Sequence, residues 1–491
     1  MQVNRRRALR LGSVAMAGGV LVKPSGGSTT VVCTRQGRLR GVRDGDIDIF
    51  KGVRFAEAPT GPHRFAPPRP VRPWTGIRDA TAFADEPLQV GFSGQSATGV
   101  QDEDCLFLNI WSPSAAGRRP VIVWITGGGF IAGAGSQYDG SVYARREDIV
   151  FVTINYRLNA FGYLHQAARP GSGNAGLLDQ IEALRWVRDN ITAFGGDPGN
   201  VTVMGESAGG MSIGILLGTP AARGLFRRAI VQSGGARPTA SPQGIGFTTT
   251  TVMKALGIDD SAQLTDVPAK DLLAVAAAIG NAPSDVKSEP FHPVIDGVVL
   301  DRHPLDRLNH GVDVLIGTCD RDYLRVGQWP SQLEYDIRQV ADWDRLLSIY
   351  TNTSSAGRDP KYDLLGGGFV QLPSIWLAEA LLRVGSRVWQ YTFDYAGAGP
   401  NGALHSTDVA FTFGSPRSDS VAQAISDQMV GAFGAFARSG DPSTSALPHW
   451  PAVTRENRAT LSFDVTPAIK ADRIPAVRRA AWDGVDPRAL C

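Results

Sequence analysis

Short apolar runs alternate with amphipathic stretches along most of this chain. The runs rich in β-branched residues, which predict strands, lie at 121–125, 149–155, 201–204, 229–232, 312–316 and 387–393. Between the second and third runs, apolar residues recur at steps of three and four, which predicts an amphipathic helix that ends at a Gly-Gly-Asp-Pro stretch, 195–198. These apolar residues are Leu177, Ile181, Leu184, Val187, Ile191 and Phe194. Strands that alternate with helices predict an α/β fold with a mostly parallel, doubly wound sheet and helices on both faces.

The composition is that of a folded globular protein. Of 491 residues, 43% are hydrophobic and 20% are charged, and the formal net charge is +2. Lys and Arg form no basic stripe, so we expect no nucleic-acid partner. No run of about 18 apolar residues is present, so we expect no transmembrane span. The oligomeric state is left open by these features.

Paired arginines precede a short, weakly apolar segment at the N-terminus. Arg5, Arg6 and Arg7 lead into an apolar stretch at 11–22 that contains Gly and Ala. This pattern resembles a twin-arginine export signal, so we expect residues 1–29 to be a leader and the protein to be exported. The alternative is a basic N-terminal extension on a cytoplasmic protein.

The four cysteines indicate neither a metal site nor a disulfide framework. Cys33, Cys105, Cys319 and Cys491 show no Cys-x-x-Cys or metal-type spacing. We therefore predict no bound metal, and the cysteines do not decide the compartment.

The segment Gly205-Glu206-Ser207-Ala208-Gly209 carries the strongest chemical signal. It follows an apolar β-branched run and precedes a helix-like run, which is the strand–turn–helix context of a Gly-x-Ser-x-Gly nucleophile elbow. Small residues on both sides of Ser207 allow a strained turn that presents the hydroxyl. The following helix directs its unpaired N–H groups at the same place. Ser207 is therefore the predicted nucleophile.

A serine nucleophile of this kind needs a base and an acid further along the chain, in the order Ser, acid, His. The strand at 312–318 is followed by two candidate acids, Asp320 and Asp322, between which the local pattern does not choose. Only His405 and His449 lie beyond them. His449 is bracketed by prolines, whereas His405 lies in a polar loop after a strand, so His405 is the predicted base.

A glycine triplet after the strand at 121–125 predicts an oxyanion hole. Glycines at 127–129 let the backbone approach a substrate closely and direct N–H groups at a developing negative charge. With the N–H of Ala208, the N–H groups of Gly128 and Gly129 are the predicted donors. The Ala/Ser/Thr/Pro-rich segment at 239–290 reads as an excursion that caps this site, and residues 30–491 as a single catalytic domain.

Together these motifs resemble the type-B carboxylesterase family, the cholinesterase-like branch of the α/β-hydrolases. The resemblance spans nearly the whole chain after the leader, and its ordered matches lie at 50–56, 64–68, 103–111, 155–158, 173–180, 194–198, 232–234, 293–297 and 436–442. It implies an α/β-hydrolase fold, a catalytic triad of Ser207, His405 and an acid, and no cofactor. The family's spacing after Gly317-Thr318 favours Asp322 over Asp320.

Two further residues gain supporting roles from the resemblance. Glu206 matches a buried acidic residue that tunes the histidine, and Ser233 lies in a matching Gln-Ser-Gly segment. The chain also departs from the family pattern. Asp322 stands in place of Glu, and Thr126 stands where bacterial members often have His. The usual cysteine partner of Cys105 is missing at 86–89, so that disulfide is expected to be absent.

The predicted activity is that of a serine carboxylesterase that acts on small ester substrates through an acyl-enzyme. The segment from 86–89 to Glu103 is short and rich in Gly and Ser, without the length of a lipase lid, so short-acyl or aryl esters are the expected substrates. The alternatives are an amidase or lactone hydrolase with the same triad, and a non-catalytic cholinesterase-like binding protein.

Overall fold

The computed structural model describes residues 28–89, 91, 97–235, 242–280, 290–323, 329–398, 401–416, 419–472 and 474–490. The predicted leader therefore lies outside the described residues except for its last two positions. Parts of the excursion at 239–290 also lie outside them, as does Cys491.

A sheet of thirteen strands forms the centre of the described structure. Two further strands, β5 and β6, lie outside this sheet, so the described strands are β1 (Thr29–Cys33), β2 (Arg38–Asp44), β3 (Ile47–Arg54), β4 (Ile77–Asp79), β5 (Glu86–Pro87), β6 (Gln101–Asp102), β7 (Phe107–Ser112), β8 (Arg119–Ile125), β9 (Val150–Ile154), β10 (Gly196–Glu206), β11 (Arg228–Gln232), β12 (Asp313–Cys319), β13 (Val388–Phe393), β14 (Thr460–Phe463) and β15 (Ala468–Lys470). The order across the sheet is β1-β2-β3-β7-β9-β8-β10-β11-β12-β13-β14-β15, and β4 pairs with β2. Strands β5 and β6 form a separate pair.

The middle of the sheet is parallel, and its margins are antiparallel apart from the parallel pair β2–β4. From β9 through β8, β10, β11, β12 and β13 to β14, every neighbouring pair runs parallel. The pairs β1–β2, β2–β3, β3–β7, β7–β9 and β14–β15 are antiparallel. All six strands predicted from apolar runs lie in the parallel part, so the prediction of a mostly parallel central sheet is confirmed.

Helices connect and flank these strands. They are α1 (Ser141–Arg146), α2 (Asn159–Tyr163), α3 (Ala175–Asn190), α4 (Ala208–Leu216), α5 (Pro242–Leu256), α6 (Ala269–Gly280), α7 (Trp329–Val340), α8 (Trp343–Thr353), α9 (Pro360–Gly366), α10 (Leu372–Arg383), α11 (Val409–Thr412), α12 (Ser420–Ser439) and α13 (Ala476–Ala480). The predicted amphipathic helix is confirmed as α3, which a 3₁₀ turn, Ile191–Phe194, continues. Gly195, with φ of 75°, ends it as predicted because glycine adopts the left-handed conformation without strain.

Two hydrophobic cores lie on opposite faces of the sheet. Alternate residues of β8 separate between them: Val121, Val123 and Ile125 belong to one core, and Ile122 and Trp124 to the other. Side chains of α3 and α4 fill the first core, and side chains of α12 fill the second. The sheet is thus covered by helices on both faces, as predicted.

A buried ion pair supports the connection between β9 and α3. Nη2 of Arg157 donates to Oδ1 of Asp179 at 2.7 Å, and the two side chains are only 3% and 0% exposed. The backbone N–H of Arg157 also donates to Oδ2 of Asp179, at 3.0 Å. Because neither charge reaches water, each is stabilised by the other and by these hydrogen bonds.

The predicted excursion contains helices α5 and α6, which pack against each other, and α6 also contacts α2. Arg64 joins it to the N-terminal part of the chain. Its guanidinium donates to the carbonyl oxygen of Val267 at 2.5 Å and pairs with Glu103 at 2.6 Å. That the excursion caps the active site stays a prediction.

One stretch in the described residues, Pro360–Arg383, has the length and apolar composition of a membrane-crossing helix, and 78% of its most apolar window is buried inside the protein. It comprises α9, a π-helical turn (Gly367–Gln371) and α10. Among the described residues, Cys33 and Cys105 carry free thiols, and Cys105 is buried.

The parallel arrangement sets the place of the chemistry. Strands β8, β10, β11, β12 and β13 are consecutive neighbours that run in the same direction, so their carboxyl ends share one edge of the sheet. The segments that leave this edge carry every residue that the sequence analysis singled out for catalysis. Ligands of open α/β sheets bind at this edge.

Candidate active site

Ser207 occupies a sharp turn between β10 and α4. Its backbone is left-handed, with φ of 53° and ψ of −123°, a conformation that costs about 1–3 kcal/mol in a non-glycine residue. A Cβ on Gly209 would lie 2.0 Å from the carbonyl oxygen of Ile125, and one on Gly205 would lie 2.8 Å from the backbone of Gly209. The N–H of Ser207 donates to the carbonyl oxygen of Gln232 at 3.0 Å, which fixes the turn to the neighbouring strand.

His405 lies beside the serine, in the loop that follows β13. Its Nε2 is 2.9 Å from Oγ of Ser207, which is hydrogen-bonding distance. The N–H of Arg321 donates to the carbonyl oxygen of Ala403 at 2.9 Å, so the histidine loop is attached to the segment after β12. The side chains of Ser207 and His405 are both buried, which limits competition from water for the hydrogen bond between them.

Asp322 lies behind the imidazole. Its Oδ1 is 2.6 Å from Nδ1 of His405, and its side chain is fully buried. Oδ2 accepts hydrogen bonds from Oγ of Ser233 at 2.7 Å and from the N–H of Cys319 at 2.9 Å. These two donors leave Oδ1 directed at the histidine. Such a carboxylate fixes one imidazole tautomer and stabilises the imidazolium.

The other candidate acid, Asp320, and the other candidate base, His449, lie away from the hydrogen bonds that join Ser207, His405 and Asp322. Asp320 forms an ion pair with Arg358 at 2.8 Å, and 40% of its side chain is exposed. His449 is exposed at the surface. Of the alternatives that the sequence left open, Asp322 and His405 are the ones brought next to Ser207.

Glu206 provides a second carboxylate on the other side of the histidine. Its Oε1 lies 3.4 Å from Nε2 of His405 and accepts a hydrogen bond of 2.5 Å from Oγ of Ser406. Burial raises the pKa of Glu206 to about 7, although the nearby histidine acts in the opposite direction. The carboxyl group therefore titrates close to neutral pH.

A third buried carboxylate, Asp408, completes a negative environment around His405. Asp408 accepts a hydrogen bond from Nε2 of Gln232 at 2.9 Å, and burial raises its pKa. Burial alone disfavours the imidazolium, but the carboxylates of Glu206 and Asp322 outweigh it and raise the pKa of His405 to about 9. This arrangement makes the imidazole a stronger base and stabilises its protonated form.

The oxyanion loop, residues 126–134, lies against the serine. Gly128 and Gly129 have φ values of 107° and 61°, which favour glycine. A Cβ on Gly127 would lie 3.1 Å from Cβ of Ser207, so loop and nucleophile are in close proximity. Among the described residues, no acceptor engages the N–H groups of Gly128, Gly129 and Ala208. These three predicted donors remain available for an oxygen of a substrate.

An aromatic ring that the sequence did not single out packs against the base. The ring of Phe369 meets that of His405 edge to face, with centroids 5.7 Å apart. Phe369 lies in the π-helical turn, and no local pattern there indicates chemistry. Ser406 and Asp408 were also missed, although their positions just after His405 offered a signal.

The described part of the chain contains no group of three or more His, Cys, Asp or Glu side chains suited to a metal ion. The site brings together a serine hydroxyl, a base supported by carboxylates, and three backbone N–H donors. Such a constellation suits attack on a carbonyl carbon.

Comparisons with known proteins match this chain to carboxylesterases. A family model described as the Carboxylesterase family matches residues 28–334 and 336–480. The para-nitrobenzyl esterase of Bacillus subtilis (strain 168) is 35% identical over 479 residues, which cover 90% of this chain and 96% of that protein. The phenmedipham hydrolase of Pseudarthrobacter oxydans is 34% identical over 467 residues, which cover 87% and 94%.

A solved structure shows the same architecture. The crystal structure of a Geobacillus stearothermophilus carboxylesterase at pH 6.2 has a TM-score of 0.83 and 36% identity, and the match covers 92% of this chain and 100% of that chain. The residues matched by the family model include the serine turn and the loops that carry Asp322 and His405.

Proposed function

Because this chain belongs to the carboxylesterase family and is a carboxylic ester hydrolase, we propose that Ser207, His405 and Asp322 carry out the hydrolysis through an acyl-enzyme. The observation that carries the proposal is the continuous line of hydrogen bonds at the carboxyl edge of the sheet. It runs from Oγ of Ser207 to Nε2 of His405 at 2.9 Å, and from Nδ1 of His405 to Oδ1 of Asp322 at 2.6 Å.

In the acylation step, Nε2 of His405 takes the proton from Oγ of Ser207 as Oγ bonds to the ester carbonyl carbon. The carbonyl π electrons move onto oxygen and form a tetrahedral oxyanion. When the carbonyl re-forms, the bond to the leaving oxygen breaks, and the imidazolium gives its proton to that oxygen. The alcohol leaves, and the acyl group stays on Ser207.

In the deacylation step, water replaces the alcohol. His405 removes a proton from the water as its oxygen attacks the acyl carbon. The second tetrahedral intermediate then breaks its bond to Oγ, which recovers the proton from the imidazolium. The carboxylic acid is released and the free enzyme is restored. Asp322 stabilises the imidazolium in both steps.

The N–H groups of Gly128, Gly129 and Ala208 stabilise the oxyanion. Loss of one such donor typically costs about 2.7–4 kcal/mol of transition-state stabilisation. The carbonyl oxygen of Gly128 accepts hydrogen bonds from the N–H groups of Ile131 and Ala132, at 3.1 and 3.0 Å, and the backbone packs closely enough that a Cβ on Gly128 would lie 2.3 Å from the carbonyl oxygen of Ala132. The donors are therefore held in place before the substrate binds, and the reaction requires little reorganisation.

Short-acyl and aryl esters are the proposed substrates. The short segment between β5 and β6 supports this preference, because it lacks the length of a lipase lid. The name of one relative, a para-nitrobenzyl esterase, is consistent with esters that contain an aromatic ring.

Turnover of p-nitrophenyl acetate, butyrate and palmitate by the wild type and by Ser207→Ala tests the proposal. Ser426→Ala is a matched control, since Ser426 is also buried and its hydroxyl donates to a backbone oxygen, that of Phe411, at 2.7 Å. We expect the control to keep its activity and Ser207→Ala to lose it. Residual turnover near the wild-type rate in Ser207→Ala would contradict the mechanism, and faster palmitate turnover would contradict the acyl preference. Faster turnover of matched anilides would favour an amidase.

A further inference from the structure

A buried glutamine outside the triad bonds the backbone of the oxyanion loop twice. Oε1 of Gln89 accepts a hydrogen bond of 2.9 Å from the N–H of Gly133, and Nε2 donates to the carbonyl oxygen of Gly133 at 3.4 Å. The side-chain amide thus pairs with Gly133 as a strand neighbour would. The side chain of Gln89 is only 6% exposed.

Gly133 lies directly against the first glycine of the triplet. Its φ is 113°, and a Cβ on it would lie 2.6 Å from the carbonyl oxygen of Gly127. A displacement of Gly133 would therefore move Gly127, and with it the N–H groups of Gly128 and Gly129. We propose that Gln89 is a positioning residue that holds the oxyanion donors in register with Ser207; this inference rests on the function proposed above.

A buried carboxylate holds the glutamine in turn. Oε2 of Glu86 accepts from Nε2 of Gln89 at 3.4 Å, and Oε1 accepts from the hydroxyls of Thr98 at 2.6 Å and Ser136 at 2.7 Å. Ser136 lies just after the oxyanion loop. Glu86 is 1% exposed, so these neutral donors satisfy a carboxylate that water does not reach. The carboxylate therefore attaches the glutamine to the far end of the loop.

Asn159 forms a second link between the segment that contains Gln89 and the oxyanion loop. Nδ2 of Asn159 donates to the carbonyl oxygen of Leu88 at 2.8 Å, while the N–H of Asn159 donates to the carbonyl oxygen of Phe130 at 2.7 Å. Asn159 and Phe130 are left-handed, with φ of 45° and 61°. The strained backbone on both sides indicates that tertiary contacts determine the conformation here.

The oxyanion loop forms few internal hydrogen bonds around the N–H groups of Gly128 and Gly129. Its internal backbone bonds run from the N–H groups of Ile131 and Ala132 to the carbonyl oxygen of Gly128, at 3.1 and 3.0 Å. Three successive glycines have a wide conformational range. A displacement of about 1 Å can reduce an enzymatic rate about 100-fold. The contacts of Gln89 control the position of the oxyanion donors, so the reaction rate is sensitive to them.

Kinetics of Gln89→Met and Ser136→Ala test the role. Methionine preserves the length of the side chain and removes both bonds to Gly133, and Ser136→Ala removes an outer contact and is the milder change. Asn190→Leu is the matched control. Asn190 is a buried amide that accepts from the N–H of Arg35 at 2.9 Å and donates to the carbonyl oxygen of Trp186 at 3.0 Å, and it lies at the end of α3.

We expect kcat of Gln89→Met to fall about 10- to 100-fold with KM nearly unchanged, and that of Ser136→Ala to fall less. The inhibition constant of an aliphatic trifluoromethyl ketone should rise in parallel, because its oxygen becomes an oxyanion when its carbon bonds to Oγ of Ser207. Rates are expressed per serine titrated with a fluorophosphonate. The acid limb of the pH profile should stay in place, since Glu206 and Asp322 are unchanged. Asn190→Leu should lower only the melting temperature.

Wild-type kcat and inhibitor affinity in Gln89→Met would overturn the proposal. If Gln89→Met does not fold, wild-type values for both quantities in Ser136→Ala would overturn it instead. A fall in kcat without a change in inhibitor affinity would also contradict a role at the oxyanion. Activity retained by Ser207→Ala is a different result, because it refutes the nucleophile and not the role of Gln89.

Discussion

The carboxylate of Asp322 reaches Nδ1 of His405 at 2.6 Å, although the family resemblance implies a glutamate at this position, which is one methylene longer. The N–H of Cys319 and the hydroxyl of Ser233 hold the other carboxylate oxygen. The backbone after β12 therefore brings a shorter acid to the histidine.

Asp322→Asn tests the role of this acid. The amide keeps the shape of the side chain but favours the wrong imidazole tautomer, so kcat should fall about 10⁴-fold. Steady-state kinetics with p-nitrophenyl acetate measure this fall in kcat. Asp320→Asn is the matched control, because Asp320 pairs with Arg358 instead, and we expect it to change kcat little. Equal effects of the two substitutions would contradict the assignment.

Glu206→Gln should shift the pH dependence of kcat/KM. The reaction needs neutral imidazole, so activity rises with pH through the pKa of His405, which burial lowers and the carboxylates raise to about 9. Removal of the Glu206 charge lowers this pKa, so half-maximal activity should move to lower pH. Glu379→Gln, whose carboxylate pairs with Arg458, should leave the profile in place. An unchanged acid limb in Glu206→Gln would mean that Glu206 does not tune the base.

Gly209→Ala should destabilise the serine turn. The new Cβ would lie 2.0 Å from the carbonyl oxygen of Ile125, and a forced backbone shift of this kind costs about 3 kcal/mol. Gly431→Ala is the control, because a Cβ there meets no atom within 4 Å and alanine favours the helix by about 0.5–1 kcal/mol. Urea unfolding measures both. An unfolding free energy of Gly209→Ala equal to that of the wild type would show that the turn adapts.

Asp179→Asn should destabilise the fold by about 3–5 kcal/mol, because it leaves the charge of Arg157 buried without its counterion. Asp427→Asn is the comparison, since its partner Arg146 is 41% exposed and such surface pairs contribute about 0–1 kcal/mol. The free energy of unfolding of each variant, measured in urea, checks the difference. Similar losses in both would indicate that Arg157 finds another partner.

Much of the sheet was predictable because its central strands are apolar on both faces. Continuous runs such as 121–125, rich in β-branched residues, are typical of strands buried between two layers of helices, and this run is such a strand. The antiparallel margins were not predicted. Strands such as β1 and β15 are short and partly exposed, so their residues carry no comparable pattern.

The candidate site was predictable where one residue type is required by both chemistry and backbone. Ser207, Gly128 and Gly129 are such residues, because a nucleophile or a left-handed glycine has few substitutes. The choice between Asp320 and Asp322 depended on the resemblance, since both follow the same strand. Phe369 was not predictable, because its contact with His405 joins segments that are distant in the chain.

The carboxylates of Glu206, Asp322 and Asp408 have a consequence at the end of the catalytic cycle. The alcohol leaves as a neutral molecule, whereas the acid loses a proton and becomes an anion beside these three carboxyl groups. We expect repulsion from the ionised carboxylates to assist departure of that anion and to oppose its return, which would weaken product inhibition. The same potential disfavours esters whose acyl group already carries a negative charge.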